Sequence, residues 1–102
     1  MDIPAQVTVG KHTYSVEQPR LMYRYGCKGA CDYTNKTITI ATHSSRTGKR
    51  FDTEDVDATF WHEVTHAILF DMKSPLYKNE RFVESFSRRL TKAIHSAKFT
   101  HV

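Results

Sequence analysis

Trp61-His62-Glu63-Val64-Thr65-His66-Ala67 reads H-E-x-x-H in the middle of a long apolar segment. On an α-helix, residues i and i+4 are separated by about 40° of rotation and about 6 Å along the axis, so two imidazoles can close on one ion. The residue after the first His is rotated by about 100°. Its carboxylate therefore stands beside the ion, where it takes a proton from a metal-bound water. This pattern assigns His62 and His66 as metal ligands and Glu63 as the catalytic base.

The flanking residues support a buried helix. Val56, Ala58, Phe60, Trp61, Val64, Ala67, Ile68, Leu69, Phe70 and Met72 point in nearly every direction around it, and a helix that is apolar almost all round is expected inside a fold. Two histidines and a glutamate buried there are destabilising unless paired or bound to a metal. Asp52 or Thr53 is placed to cap the helix, and Glu54, Asp55 and Asp57 suit the positive end of its dipole. The helix is expected to end near Met72, before a break at Lys73-Ser74-Pro75. Ser74 then caps a second helix that Pro75 opens and that runs to about Ala97.

Upstream, the chain reads as strands. Val7-Thr8-Val9 and Thr13-Tyr14-Ser15-Val16 alternate around Gly10-Lys11-His12, the pattern of a β-hairpin. Leu21-Met22-Tyr23-Arg24-Tyr25 is a further short strand, and Gly26 to Asn35, with its glycines and two cysteines, reads as a loop. Thr37-Ile38-Thr39-Ile40-Ala41-Thr42 alternates strictly and is the clearest strand. A polar loop, His43 to Arg50, follows. Its Gly48-Lys49 is not a phosphate loop, because His43 stands where that motif needs Gly and Arg50 where it needs Ser or Thr.

With 102 residues and 39% hydrophobic side chains, the chain has material for one small domain with a modest core. No apolar run reaches membrane-spanning length. Met1-Asp2-Ile3-Pro4 lacks the basic start and apolar run of a signal peptide, so a cytoplasmic location is expected. The net charge of +4 is local: residues 73–102 carry +5 and residues 1–72 carry −1. A basic second helix suits an acidic partner, nucleic acid included, but no recognition motif accompanies it. Cys27 and Cys31 are spaced C-x3-C without a second pair, which excludes a four-cysteine zinc site within one chain. Two reduced thiols are expected, with a disulfide or a mixed site using His12 or His43 as alternatives.

A catalytic zinc commonly takes three protein ligands. Leu69 and Met72 occupy the positions where a metzincin places Gly and its third His, and Asp71 faces the opposite side of the helix from His62. The second helix is the remaining source. Leu76, Val83, Phe86, Leu90, Ile94 and Ala97 share a face expected to pack on the first helix. Glu80 lies about 75° from its centre and Glu84 about 115°. Glu80 is the favoured ligand, with Glu84 orienting a ligand histidine through its free N–H; the reverse stays open. Exposed glutamates paired with Arg81 and Arg88 are the bland alternative. His95 and His101 are rival ligands.

These residues resemble the zincin-like metallopeptidases, specifically small bacterial and phage members related to the ImmA/IrrE group. The resemblance rests on Trp61–Ile68 and on Glu80-Arg81-Phe82-Val83-Glu84-Ser85-Phe86-Ser87-Arg88-Arg89-Leu90, with Tyr25-Gly26, Asp32-Tyr33 and Thr37–Ile40 ahead of them. Two positions depart from the group: Val83 is larger than the usual small residue, and Glu84 stands where Asn is common. The resemblance implies an α+β, zincin-like single domain: an N-terminal antiparallel sheet of three to four short strands on two long helices, the first carrying H-E-x-x-H.

The expected activity is zinc-dependent hydrolysis of peptide bonds, with one Zn²⁺ on His62, His66 and Glu80 and Glu63 assisting attack of the zinc-bound water. Tyr77 and His43, with Tyr33 and His95, are candidates for a second electrophile. Thr37, Ile38, Thr39 and Ile40, as a sheet edge over the cleft, are expected to bind an extended peptide substrate through the main chain. The rival is a zincin-shaped binding protein for a host factor or DNA, with a structural or vestigial zinc. An open cleft beside the metal favours the enzyme; a cleft plugged by side chains favours the binder.

Overall fold

The computed structural model describes residues 1–22 and 26–100. The expected hairpin forms from β1 (Gln6–Val9) and β2 (His12–Glu17), closed through Gly10 in the left-handed region (φ 61°). Strands β3 (Gly29–Asp32) and β4 (Thr37–Ile40) complete a four-stranded sheet in the order β1-β2-β4-β3. Helix α1 (Thr53–Asp71), a 3-10 turn (Pro75–Lys78) and helix α2 (Glu80–Ser96) follow. The α+β class and the order of strands before helices are as expected.

Several details differ from the sequence reading. The sheet is mixed, because β4 runs parallel to β2 and antiparallel to β3. Gly29–Asp32, read as loop, is a strand: Ala30 and Cys31 pair with Thr39 and Ile38, and the main-chain ladder forms without apolar alternation. The Asp32 carboxylate accepts from the backbone N–H of Thr34 and Asn35, folding the turn that returns the chain into β4. Of the expected strand at Leu21–Tyr25, Leu21 and Met22 are in no strand, and Tyr23, Arg24 and Tyr25 lie outside the described residues.

Helix α1 lies on the sheet. Phe60, Val64 and Ala67 meet Val9, Tyr14, Ile38 and Ile40 in one buried cluster. Burial is not all round, however, since Ile68 and Met72 are exposed. Asp52 occupies the N-cap without a side-chain hydrogen bond. Asp57, read as a charge suiting the dipole, is buried and meets the Nε2 of His95 at 2.9 Å. At the other end, Lys73 takes a left-handed conformation (φ 57°). Ser74 N–H then reaches the Leu69 carbonyl and Lys73 N–H that of Phe70, the two bonds that stop a helix at such a residue.

The second helix is not continuous from Pro75. Ser74 caps a single 3-10 turn, and Asn79, with its Oδ1 accepting from Phe82 N–H, starts α2 afresh. The face of α2 against the fold is Val83, Ser87 and Thr91, while Phe86, expected inside, is 48% exposed. Leu90 and Ile94 are half-buried at its margin, and Ala97 lies exposed past the helix end. Small Ser87 and Thr91 admit close approach to α1, and their hydroxyls are satisfied within α2 by the carbonyls of Glu84 and Ser87. The packed face is thereby rotated toward Glu80 and Glu84.

Because Asn79 alone starts α2, Asn79→Ala is expected to lower stability by about 1 kcal/mol while Asn79→Asp retains most of it. Urea unfolding midpoints of the metal-free protein check this.

Candidate metal centre

The two antiparallel helices bring three acidic or imidazole side chains to one point. His62 Nε2 lies 3.1 Å from Glu80 Oε2, and His66 Nε2 lies 2.7 Å from Glu80 Oε1. One carboxylate therefore spans both imidazoles, whose ring centroids are 5.0 Å apart as neighbours one turn apart on α1. His62, His66 and Glu80 each offer a ligand atom, and these atoms lie within 4.8 Å of one another. The triad can hold a metal ion.

The outer nitrogens explain why. His66 Nδ1–H donates to the carbonyl of Tyr77 at 2.7 Å, which leaves Nε2 of the neutral ring as a lone pair aimed at the Glu80 carboxylate. His62 has a carboxylate at each nitrogen: Glu80 at Nε2, and Glu84 Oε2 at 3.3 Å from Nδ1. Lone pairs and carboxylate oxygens at such distances repel unless a proton or a cation lies between them. An imidazole held by an acceptor on one nitrogen and open on the other is the usual form of a metal-binding histidine. The donor set fits a divalent ion of the zinc type. Glu84 thus stands beside His62, and it also pairs with Arg88 at 3.2 Å.

Glu63 is buried beside this group and makes no ion pair among the described residues. Burial pushes its carboxyl up to about 8, reinforced by the negative charges of Glu80 and Glu84. Its Oε2 lies against Gly29 of β3, where an added Cβ would stand 3.1 Å from that oxygen, 2.9 Å from the Thr39 carbonyl and 2.7 Å from Thr59 Cγ2. The missing side chain lets β3 cross α1 at the height of Glu63. No feature of a Gly-Ala-Cys-Asp strand announces that role from sequence.

The site opens into a cleft of about 980 Å³ with α1 as its floor, α2 on one side and β3 with its preceding loop on the other. Tyr33 and Tyr77 line it at the His66 end; Arg88, Lys92 and His95 line the far end. His95 is held by Asp57 rather than by the triad. His43, proposed as an electrophile, lies elsewhere. It forms a bridge with Arg50, bonds Thr42 Oγ1 through Nδ1 at 2.8 Å, and has its proton affinity lowered by burial and by Arg20 and Arg50. His101 lies outside the described residues.

Thr37, Ile38, Thr39 and Ile40 do not form a sheet edge. Strand β4 is paired on both sides, with Ile38 and Ile40 fully buried, and the edge that borders the cleft is β3. Cys27 and Cys31 are free thiols, and burial pushes the Cys31 thiol up to about 12, aided by Glu63 and Asp32. Neither belongs to a metal-ligand group among the described residues. No helix among those residues is long and apolar enough to cross a membrane. In comparisons with known proteins, no family model, curated protein or solved structure matches the chain.

In the metal-free protein Glu63 keeps its proton in the fold up to about 8, whereas its ordinary value is 4.5. The folded form thus binds more protons than the unfolded chain in that window. Its contribution to stability is full below the lower value and is lost as pH rises toward the upper one. With a chelator present, wild-type unfolding midpoints are expected to fall between about pH 5 and about pH 8, and Glu63→Gln to fall less.

Proposed function

We propose that this chain is a zinc-dependent peptidase of the zincin type, related to the ImmA/IrrE group. The observation that carries the reading is the Glu80 carboxylate bridging His62 Nε2 and His66 Nε2, with the Glu63 carboxyl buried next to them. That combination joins a three-donor ligand set to a base that is not a ligand, which is the division of labour metal-assisted hydrolysis needs.

A zinc ion on His62, His66 and Glu80 would supply an electrophile that acidifies water and polarises a carbonyl. The chain's own groups do the rest. Glu63 accepts the proton released as water attacks the peptide carbonyl, then delivers it to the amine nitrogen as the C–N bond breaks. Burial of the Glu63 carboxyl shields it from bulk water, so the proton it takes stays within the site. Glu84 and the Tyr77 carbonyl hold the outer nitrogens of His62 and His66. The outer edge of β3 has no strand partner among the described residues and borders the cleft, so an extended peptide can pair with it through main-chain hydrogen bonds. Tyr33 and Tyr77 are the phenols positioned along the same cleft.

The open cleft beside the Glu63 carboxyl supports this reading over that of a binding protein with a vestigial site.

Untagged wild-type protein is expected to carry one zinc per chain by elemental analysis. Glu80→Ala should lose it, and Glu84→Ala should retain it with affinity lowered about 10- to 100-fold. Purified Glu63→Gln is expected to keep its zinc and to cleave an unfolded protein substrate about 10²- to 10⁴-fold more slowly. Undiminished cleavage by that variant would remove the mechanism.

A further inference from the structure

The triad is held from behind by a feature that contains none of its ligands. His66 is oriented by the bond from Nδ1–H to the Tyr77 carbonyl, and Tyr77 belongs to the 3-10 turn Pro75–Lys78. The turn is tied at its ends: Leu76 N–H donates to Ser74 Oγ and Tyr77 N–H to the Ser74 carbonyl, each at 3.2 Å, and Asn79 N–H to the Leu76 carbonyl at 2.9 Å. A single 3-10 turn of this kind is a weak support.

Aromatic rings pack against the turn. The Tyr33 ring lies flat on Phe70, with centroids 4.3 Å apart and planes 11° from parallel. Tyr77 stands edge-on to both, 5.7 Å from Tyr33 and 5.5 Å from Phe70. Both arrangements are favourable for aromatic pairs. The three rings come from three places: the β3–β4 turn, the last turn of α1 and the 3-10 turn. Cations cover the outside, Lys36 Nζ 5.6 Å from the Phe70 centroid and Lys78 Nζ 5.4 Å from that of Tyr77. Two residues after Tyr77 comes Asn79, the cap of α2, and then Glu80 itself. A displaced 3-10 turn therefore moves both the acceptor that orients His66 and the start of the helix that carries the third ligand.

We infer that the Tyr33–Phe70–Tyr77 stack is the positioning device of the metal triad: it holds the Tyr77 carbonyl on His66 Nδ1–H and so presents the Nε2 lone pair beside Glu80. Tyr33, Phe70 and the Tyr77 ring are positioning residues that act through the main chain of the 3-10 turn. The inference rests on the metal reading above for its affinity readout, while the His66–Tyr77 bond can be followed without any metal.

The experiment uses the full chain, with zinc affinity measured by chelator competition and the His66 tautomer read from imidazole nitrogen NMR in excess chelator. Tyr33→Leu and Phe70→Leu are each expected to weaken zinc binding about 10- to 100-fold and to lose the Nδ1-protonated signature of His66. Tyr33→Phe and Tyr77→Phe keep the rings and the main chain, and should retain both properties. Ile38→Val, a change at a fully buried core residue outside the stack, should lower stability and leave zinc affinity within about twofold. Unchanged affinity and tautomer in both leucine variants overturn the inference, as does an equal loss of affinity in Ile38→Val, which would mark general loosening. If wild-type protein takes up no zinc, the metal reading fails. The NMR arm then decides alone: a tautomer signature preserved in Tyr33→Leu overturns the inference, and its loss there supports it.

Discussion

A carboxylate facing two imidazole nitrogens is an arrangement of acceptors that needs a positive charge to hold it together. Glu80 does this across the α1–α2 seam, at 3.1 Å from His62 and 2.7 Å from His66. The Nδ1 proton of His66 is committed on the far side, to the Tyr77 carbonyl, so in the neutral ring Nε2 has no proton to offer the carboxylate. Much of the surrounding structure serves this contact. Ser87 and Thr91 let α2 approach α1 closely, and Asn79 begins α2 one residue before Glu80. The break at Lys73–Pro75 makes the second helix return antiparallel over the histidines.

Glu63 stands under the same constraint with the opposite solution. His62 and His66 reach charged partners, whereas Glu63 is turned toward β3 and away from any cation among the described residues. Burial and two neighbouring carboxylates raise its proton affinity to about 8. One turn of helix thus presents two kinds of group at one place, imidazoles that could hold an ion and a buried carboxyl beside them. Strand β3 fits over them because Gly29 has no side chain. The sheet edge, the Glu63 carboxyl and the His62–His66–Glu80 group consequently border one cleft, and a main chain lying along β3 would pass close to all of them.

Local features of the chain were legible in proportion to how local their causes are. The hairpin around Gly10, the alternating strand at Thr37–Ile40, the start of α1 and the stop at Lys73 follow from turn chemistry and from periods of two and 3.6 residues. The i, i+4 histidines are brought together by the helix they sit on, and need no other element to do so. Glu80 could be favoured over Glu84 by angle, yet the face used to measure that angle was not the one the fold uses. Apolar counting favoured Phe86, and the packed side is Val83, Ser87 and Thr91, because close approach of two helices rewards small side chains with internally bonded hydroxyls.

Strand β3 was hidden for a related reason. Gly-Ala-Cys-Asp has neither branched side chains nor alternation, and it is a strand because β4 offers it a ladder and α1 leaves room for it. The sequence by itself determined that His62 and His66 share one face of α1 with Glu63 beside them, the α+β class, and the placing of strands before helices, since each is written in spacing along one segment. Only the tertiary structure decided that β4 lies inside the sheet and β3 at its edge, that Glu80 spans both imidazoles, and that a backbone carbonyl from a 3-10 turn orients His66. Those choices depend on contacts between segments far apart in the chain, where volume, hydrogen-bond satisfaction and charge across an interface outweigh any local preference.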